Sequence, residues 1–325
     1  MGFIRKAAAI AAAVALTAAG VVASPAHADP APGQYKKYVA LGDSFAAVGS
    51  VSQFEWNDRP LCIRSKDNYP RQLAGRLGLS GPDQFLDATC AWARTQDYWG
   101  PQHTPVPFAN PQTQADAVTP DTDLVTLTFG GNPSAMFLTA ACVGAYTGLH
   151  SRPNAVDASS SYPPQVWRAL YDAKRQADSL GLGCASGAPA IAKANENFYW
   201  EYLDIVRDVK RRAPHAEVRV VGYYDIIGDP NKLCLSTGGM GVEDVHFIKD
   251  YIAGLNDVAR RVAADAGAVY VDSPTETNGI CADTQREGTA PGILGVGPLE
   301  GDDAIPFHPT KFGQARTADT VFQSL

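Results

Sequence analysis

Three short segments, far apart in the chain, carry residue types that suit acyl transfer. Gly42-Asp43-Ser44 offers a hydroxyl, Gly130-Gly131-Asn132 a carboxamide, and Phe307-His308-Pro309-Thr310 an imidazole. A serine attacks a carbonyl carbon when a neighbouring imidazole takes its proton, so Ser44 and His308 read as nucleophile and general base. The Asn132 amide and the Ser44 backbone N–H would then stabilise the oxyanion that develops on the carbonyl oxygen. Each segment alone has an ordinary explanation. Gly-Asp-Ser makes a turn or a helix cap, Gly-Gly-Asn ends a strand, and a single histidine near a C-terminus sits at the surface. Their order, and their place relative to the strands, is what makes the set specific.

Residues 37–41 (KYVAL) read as a buried strand ending at Gly42, and residues 123–129 (DLVTLTF) as a β-branched strand closed by Gly130-Gly131. Further strands are expected over 84–89, 217–223 and 268–272. Residues 68–77 read as a helix, with Pro70 in its first turn and Leu73 and Leu77 four apart. A second helix over 192–212 aligns Phe198, Tyr202, Ile205, Val206 and Val209, and a third over 247–266 aligns Ile248, Ile252, Leu255, Val258 and Val262. Helices alternating with short buried strands predict a single α/β domain, a parallel sheet with helices on both faces. Such sheets bind ligands beyond the carboxyl ends of their strands, where Ser44 and Asn132 fall; His308 follows the last strand. Residues 143–190, rich in Gly, Ser, Pro and Ala with one helical stretch over 166–177, read as a long insertion held by a disulfide.

The chain has 325 residues, 45% hydrophobic and 19% charged, which excludes wholesale disorder. A net charge of −7 without a Lys/Arg cluster argues against nucleic-acid binding. No lysine follows Gly130-Gly131-Asn132 at phosphate-loop spacing, and no G-x-G-x-x-G follows the first strand. Arg5 and Lys6, the apolar run 7–23 and Ala26-His27-Ala28 form a secretory signal peptide, with cleavage expected after Ala28. The run is short and Ala-rich, so no stable membrane insertion is expected, and residues 29–325 form the extracellular domain. Cys62, Cys90, Cys142, Cys184, Cys234 and Cys281 are an even set, expected as three disulfides among 15 conceivable pairings. They lack C-x-x-C spacing or a neighbouring histidine, so no metal is expected. No cofactor is expected either, and the chain is taken as a monomer. His103, His150, His215 and His246 have no motif context and are assigned to surface or loops. Trp56, Trp99 and Trp200 are read as packing residues, although Phe54, Trp56, Trp92 and Trp99 could line an apolar cleft near Ser44. Asp43 is expected to hold the Ser44 turn.

Three stretches carry a resemblance: residues 38–44 (YVALGDS), residues 120–132 (PDTDLVTLTFGGN), and His308-Pro309-Thr310 followed by Gly313. With them, and with six cysteines in similar relative positions, the chain resembles the GDSL, or SGNH, hydrolases over roughly residues 37–320. Within that family it is most similar to secreted actinobacterial-type lipases and esterases with three disulfides. The resemblance implies a three-layer α/β/α sandwich around a mostly parallel sheet of about five strands. It implies hydrolysis of carboxylic esters, of lipids or small acyl esters, without a metal. Ser44 would be the nucleophile, Asn132 an oxyanion donor and His308 the base, and the cysteines would pair in chain order.

Three positions depart from the family pattern. Ile305 stands where an aspartate usually precedes the histidine by three. The secreted lipases can use a backbone carbonyl there, so Ile305 O is the candidate acceptor for the imidazole Nδ1 proton, with Asp302 and Asp303 as alternatives. Cys90-Ala91-Trp92-Ala93 replaces the usual Cys-Ser-Gly-Ala, whose glycine N–H serves as an oxyanion donor. Trp92 keeps the N–H, but its indole would crowd the acyl group, and a glycine-type φ would strain it. Pro133 follows Asn132 where the family has aspartate, which should restrict Asn132 to extended backbone. Trp92 and Pro133 leave a second expectation open, a catalytically impaired secreted binding or structural module on the same fold.

Overall fold

A computed structural model describes residues 30–31, 33–55, 62–102, 113–130, 132, 188–231, 242–274, 279–281, 304–305 and 308–325. In chain order the main elements are β1 (Tyr38–Gly42), α1 (Ser44–Ala47), α2 (Tyr69–Arg76), β2 (Phe85–Asp87), β3 (Leu124–Thr128), α3 (Ala188–Arg212), β4 (Glu217–Val221), α4 (Val242–Ala266), β5 (Val269–Val271) and α5 (Lys311–Gln323). The strands form one parallel sheet in the order β2-β1-β3-β4-β5. β1 and β3 lie side by side, with Tyr38 opposite Leu124 and Gly42 opposite Thr128. Both are buried at every residue, as an apolar, β-branched run between two covered faces must be.

Alternation along the strands builds two cores. Val39, Leu41, Val125, Leu127, Val218 and Val220 face the apolar stripes of α3 and α4. Tyr38, Ala40, Leu124, Val221 and Val271 face Tyr69 and Leu73 of α2 and Ala318 and Val321 of α5. The result is the expected three-layer α/β/α sandwich. Asn68 caps α2, its side chain accepting the Arg71 N–H at 3.1 Å, and Pro70 sits in the first turn.

The elements differ from expectation at their edges. α3 begins at Ala188, inside the span read as irregular, and α4 begins at Val242, five residues before the apolar stripe becomes visible. α5 carries no apolar stripe to predict it from: it buries Gly313, Gln314, Thr317, Ala318 and Val321, a face of mostly small and polar residues. The remainder of the insertion, with its expected helix over 166–177, lies outside the described residues.

The chain leaves β1 for β2 on one side and returns to β3 on the other. Strand order therefore reverses between β1 and β3, and a crevice opens at their carboxyl ends. Ser44 follows β1 directly, and Asn132 comes four residues after the end of β3.

Candidate active site

The turn carrying Ser44 is held from several directions. The Gln114 carboxamide accepts the Gly42 N–H at 2.8 Å and donates to the Gly42 carbonyl at 2.9 Å. The Cys90 N–H also reaches that carbonyl, at 3.0 Å. Gly42 has φ +147°, and a Cβ there would lie 2.5 Å from Thr128 O, so only glycine fits. Asp43 then caps α1 in the role expected of it. Its buried carboxylate accepts the Phe45 N–H at 3.0 Å and the Tyr223 hydroxyl, while its own N–H donates to Thr128 O at 3.0 Å. Tyr223 is fixed by Asn256 of α4, which accepts its N–H at 2.6 Å and donates to its carbonyl at 3.0 Å.

Ser44 opens α1, half-buried, and its Oγ lies 2.9 Å from His308 Nε2. The pair spans 264 residues of sequence. The imidazole packs on Phe45 with ring centroids 5.0 Å apart, and Phe45 also meets the Tyr223 ring, at 4.6 Å. Asn132 comes to the same rim from the β3 side, its Nδ2 donating to Ala93 O at 2.6 Å. That bond ties Asn132 to the Cys90–Ala93 segment, which itself follows the Gly42 contact. The end of β3 is packed tightly here, since a Cβ on Gly130 would fall 2.2 Å from the Phe198 ring.

A sequence model of the GDSL-like Lipase/Acylhydrolase family matches residues 40–316, a span that takes in all three segments. The chain belongs to this family. A protein named Lipase 2 from Streptomyces coelicolor is 33% identical over 326 residues, covering 97% of this chain and 94% of that protein. An esterase from Streptomyces scabiei is 27% identical over 301 residues, covering 88% and 83%. Among solved structures, an extracellular lipase from Streptomyces rimosus shares the fold with a TM-score of 0.57 at 23% identity, covering 89% of this chain and 99% of that one. Phospholipase A1 from Streptomyces albidoflavus does so with a TM-score of 0.53 at 21% identity over the same shares.

For a GDSL-like lipase/acylhydrolase, the segment after Cys90 is unusual in one respect. Trp92 has φ +69°, the left-handed conformation that suits the family's glycine. Neighbouring bonds impose it: the Ala91 N–H donates to Cys62 O at 2.8 Å and the Ala93 N–H to Cys90 O at 3.1 Å. The Cys62–Cys90 disulfide pins the same segment. Trp92 is 55% exposed. A left-handed non-glycine residue costs about 1–2 kcal/mol. Trp92→Gly should therefore unfold at higher denaturant concentration than Trp92→Ala, by about 1 kcal/mol in stability. Equal midpoints for the two variants would show that the strain is relieved elsewhere.

From Trp92 the loop runs to Gln102, whose Nε2 closes it by donating to Ala91 O at 2.7 Å. Two bonds fasten it to α3, from Thr95 to Glu201 and from the Tyr98 hydroxyl to Asp208 at 2.8 Å. Burial, and then the bond to Asp208, push the Tyr98 phenol well above its ordinary range, so it stays a neutral donor.

Ile305 O accepts the backbone N–H of His308 at 3.1 Å. Asp302 and Asp303 lie outside the described residues, as do Trp56, His103, Pro133 and His150. Asn132 is helical rather than extended. Of the aromatic residues expected to line a cleft, Phe54 packs with Ile63 and Ile305 against Ala47, Val48 and Ala91, and Trp99 is about half exposed. Trp200 is exposed on α3. His215 is exposed, and His246 Nε2 lies 3.3 Å from Asn231 Oδ1 at the surface. The described disulfide, Cys62–Cys90, joins neighbours in chain order. Cys281 is disulfide-bonded as well, while Cys142, Cys184 and Cys234 lie outside the described residues. Gln114, Tyr223 and Phe45 escaped the sequence reading, because a single amide or aromatic residue leaves no spacing to detect.

Proposed function

We propose that this protein is a secreted serine esterase that hydrolyses carboxylic esters at Ser44. The observation that carries the reading is the 2.9 Å approach of Ser44 Oγ to His308 Nε2, across the switch point of the sheet. Ser44 attacks the ester carbonyl carbon, and its proton passes to Nε2. The new C–O bond leaves a tetrahedral oxyanion. Its donors are the Ser44 N–H, the Trp92 N–H and the second hydrogen of the Asn132 amide, the first being given to Ala93 O. The intermediate collapses, the alcohol leaves with the proton from Nε2, and water releases the acid by the same route in reverse. The Ile305 carbonyl, which has a second lone pair, is the candidate to hold the Nδ1 proton.

Family membership and relatives named lipase and esterase support this chemistry. The leader over residues 1–28 supports secretion, and among the described residues no helix is long and apolar enough to cross a membrane. Three disulfides paired in chain order suit that compartment, and by chain entropy the loop closed by Cys62–Cys90 contributes about 3–4 kcal/mol. The test is turnover of p-nitrophenyl acyl esters by the mature protein, together with fluorophosphonate labelling and peptide mapping. Turnover with the label on Ser44 is expected. Background turnover and an unlabelled Ser44 would discard the enzyme and leave a binding module.

A further inference from the structure

A parallel sheet brings Ser44 and His308 to the same end, but it does not by itself set a contact between residues 264 apart to within a few tenths of an ångström. His308 lies between two straps, and both are fastened to the four-residue helix that carries Ser44 or to the chain just after it. Before His308, Ala304 pairs antiparallel with Ser50, and Ile305 packs on Ala47, Val48 and Ala91. After His308, the strap is Gln314, in the first turn of α5 and fully buried. Its Nε2 donates to Phe45 O at 2.9 Å and Val48 O at 2.6 Å, and its Oε1 accepts the Tyr69 N–H at 2.8 Å.

Each of these backbone groups belongs to a helix end. A helix as short as α1 leaves its last carbonyls without intrahelical donors, and the first N–H groups of α2 lack intrahelical acceptors. One carboxamide therefore completes the ends of two helices from a third. It uses both of its hydrogens in doing so, so it has no equivalent alternative arrangement. The Phe45 carbonyl it holds is adjacent to Ser44, and the Phe45 ring is the surface on which His308 packs.

The structure assigns Gln314 as a positioning residue for the Ser44–His308 pair: it locks α1 against α5 so that hydroxyl and imidazole meet. It touches no reacting atom. This inference rests on the ester-hydrolase reading above.

The experiment compares Gln314→Met, which keeps the volume and removes all three bonds, with Arg219→Met. Arg219 is buried and donates to Ser324 Oγ at 3.2 Å and Ser324 O at 2.9 Å, so its loss loosens the far end of α5 without touching α1. Gln314→Met is expected to lower kcat about 10- to 100-fold with KM within about twofold, and to slow fluorophosphonate inactivation in proportion. Arg219→Met should lower the melting temperature and keep the wild-type kcat. If Gln314→Met fails to fold, Gln314→Glu is decisive. It keeps the length, the acceptor for Tyr69 and, protonated in this buried site, one donor, so its kcat should lie about 3- to 10-fold below wild type. A folded Gln314 variant with wild-type kcat, losing only thermal stability as Arg219→Met does, overturns the assignment. An inactive, unlabelled wild type would instead remove the hydrolase reading, and this inference with it.

Discussion

Ser44→Ala lowers kcat by about 10⁴- to 10⁶-fold, His308→Ala lowers it comparably, and the double variant is no slower than either single one. The 2.9 Å contact is the reason for the lack of additivity. A serine hydroxyl is a weak nucleophile at neutral pH and gains its reactivity from a base positioned to take the proton. Without the imidazole, Ser44 is an ordinary alcohol; without the hydroxyl, His308 has no proton to move toward the ester. Once either is gone, removing the other costs nothing further. The residual rate, about 10³- to 10⁴-fold above water, should come from the oxyanion donors and substrate binding alone. The measurement is p-nitrophenyl ester turnover by all three variants, normalised to folded protein. A His308→Ala rate within tenfold of wild type would remove His308 from the base role. Strictly additive losses would mean that the two residues act on different steps.

Much of this arrangement was legible in the sequence, and the reasons are local. β1 and β3 announce themselves because a strand buried on both faces is largely apolar or β-branched; β1 ends in Gly42, and Gly130 follows β3 by two residues. α3 announces itself through Phe198, Tyr202, Ile205, Val206 and Val209, which form a single stripe against the sheet. Ser44 and Asn132 were visible because they follow those strands. What escaped is held by single polar side chains reaching across the fold. Gln114 gripping Gly42, Tyr223 donating to Asp43 and Gln314 bridging three helices depend on tertiary approach rather than on spacing. α5 escaped for a related reason. Its buried face is built from Gly313, Gln314, Thr317 and Ala318, which fit closely against neighbours but produce no hydrophobic period. Trp92 is the intermediate case. Its left-handed backbone could be anticipated only because a glycine usually occupies that place in the resembling family, and the hydrogen bonds that impose the conformation survive the substitution.

Asn132→Ala should lower kcat by about 10²- to 10³-fold while leaving KM within a few-fold, the signature of an interaction made chiefly in the transition state. The Asn132 amide has two hydrogens, and Ala93 O takes one at 2.6 Å. That bond orients the group, so the other hydrogen is preorganised for charge that appears only when the carbonyl becomes tetrahedral. Asn132→Asp tests the same point more severely. The shape is preserved, but a carboxylate would face both the Ala93 carbonyl and the developing oxyanion with lone pairs and negative charge. Its loss should equal or exceed that of alanine. Both variants also release the Ala93 loop, which alone would lower the melting temperature and raise KM. A fall in kcat beyond what the stability change accompanies is therefore the informative quantity. If Asn132→Ala lost stability and KM but kept kcat, Asn132 would be a tether for the Trp92 loop. The oxyanion would then rest on the two backbone N–H groups of Ser44 and Trp92.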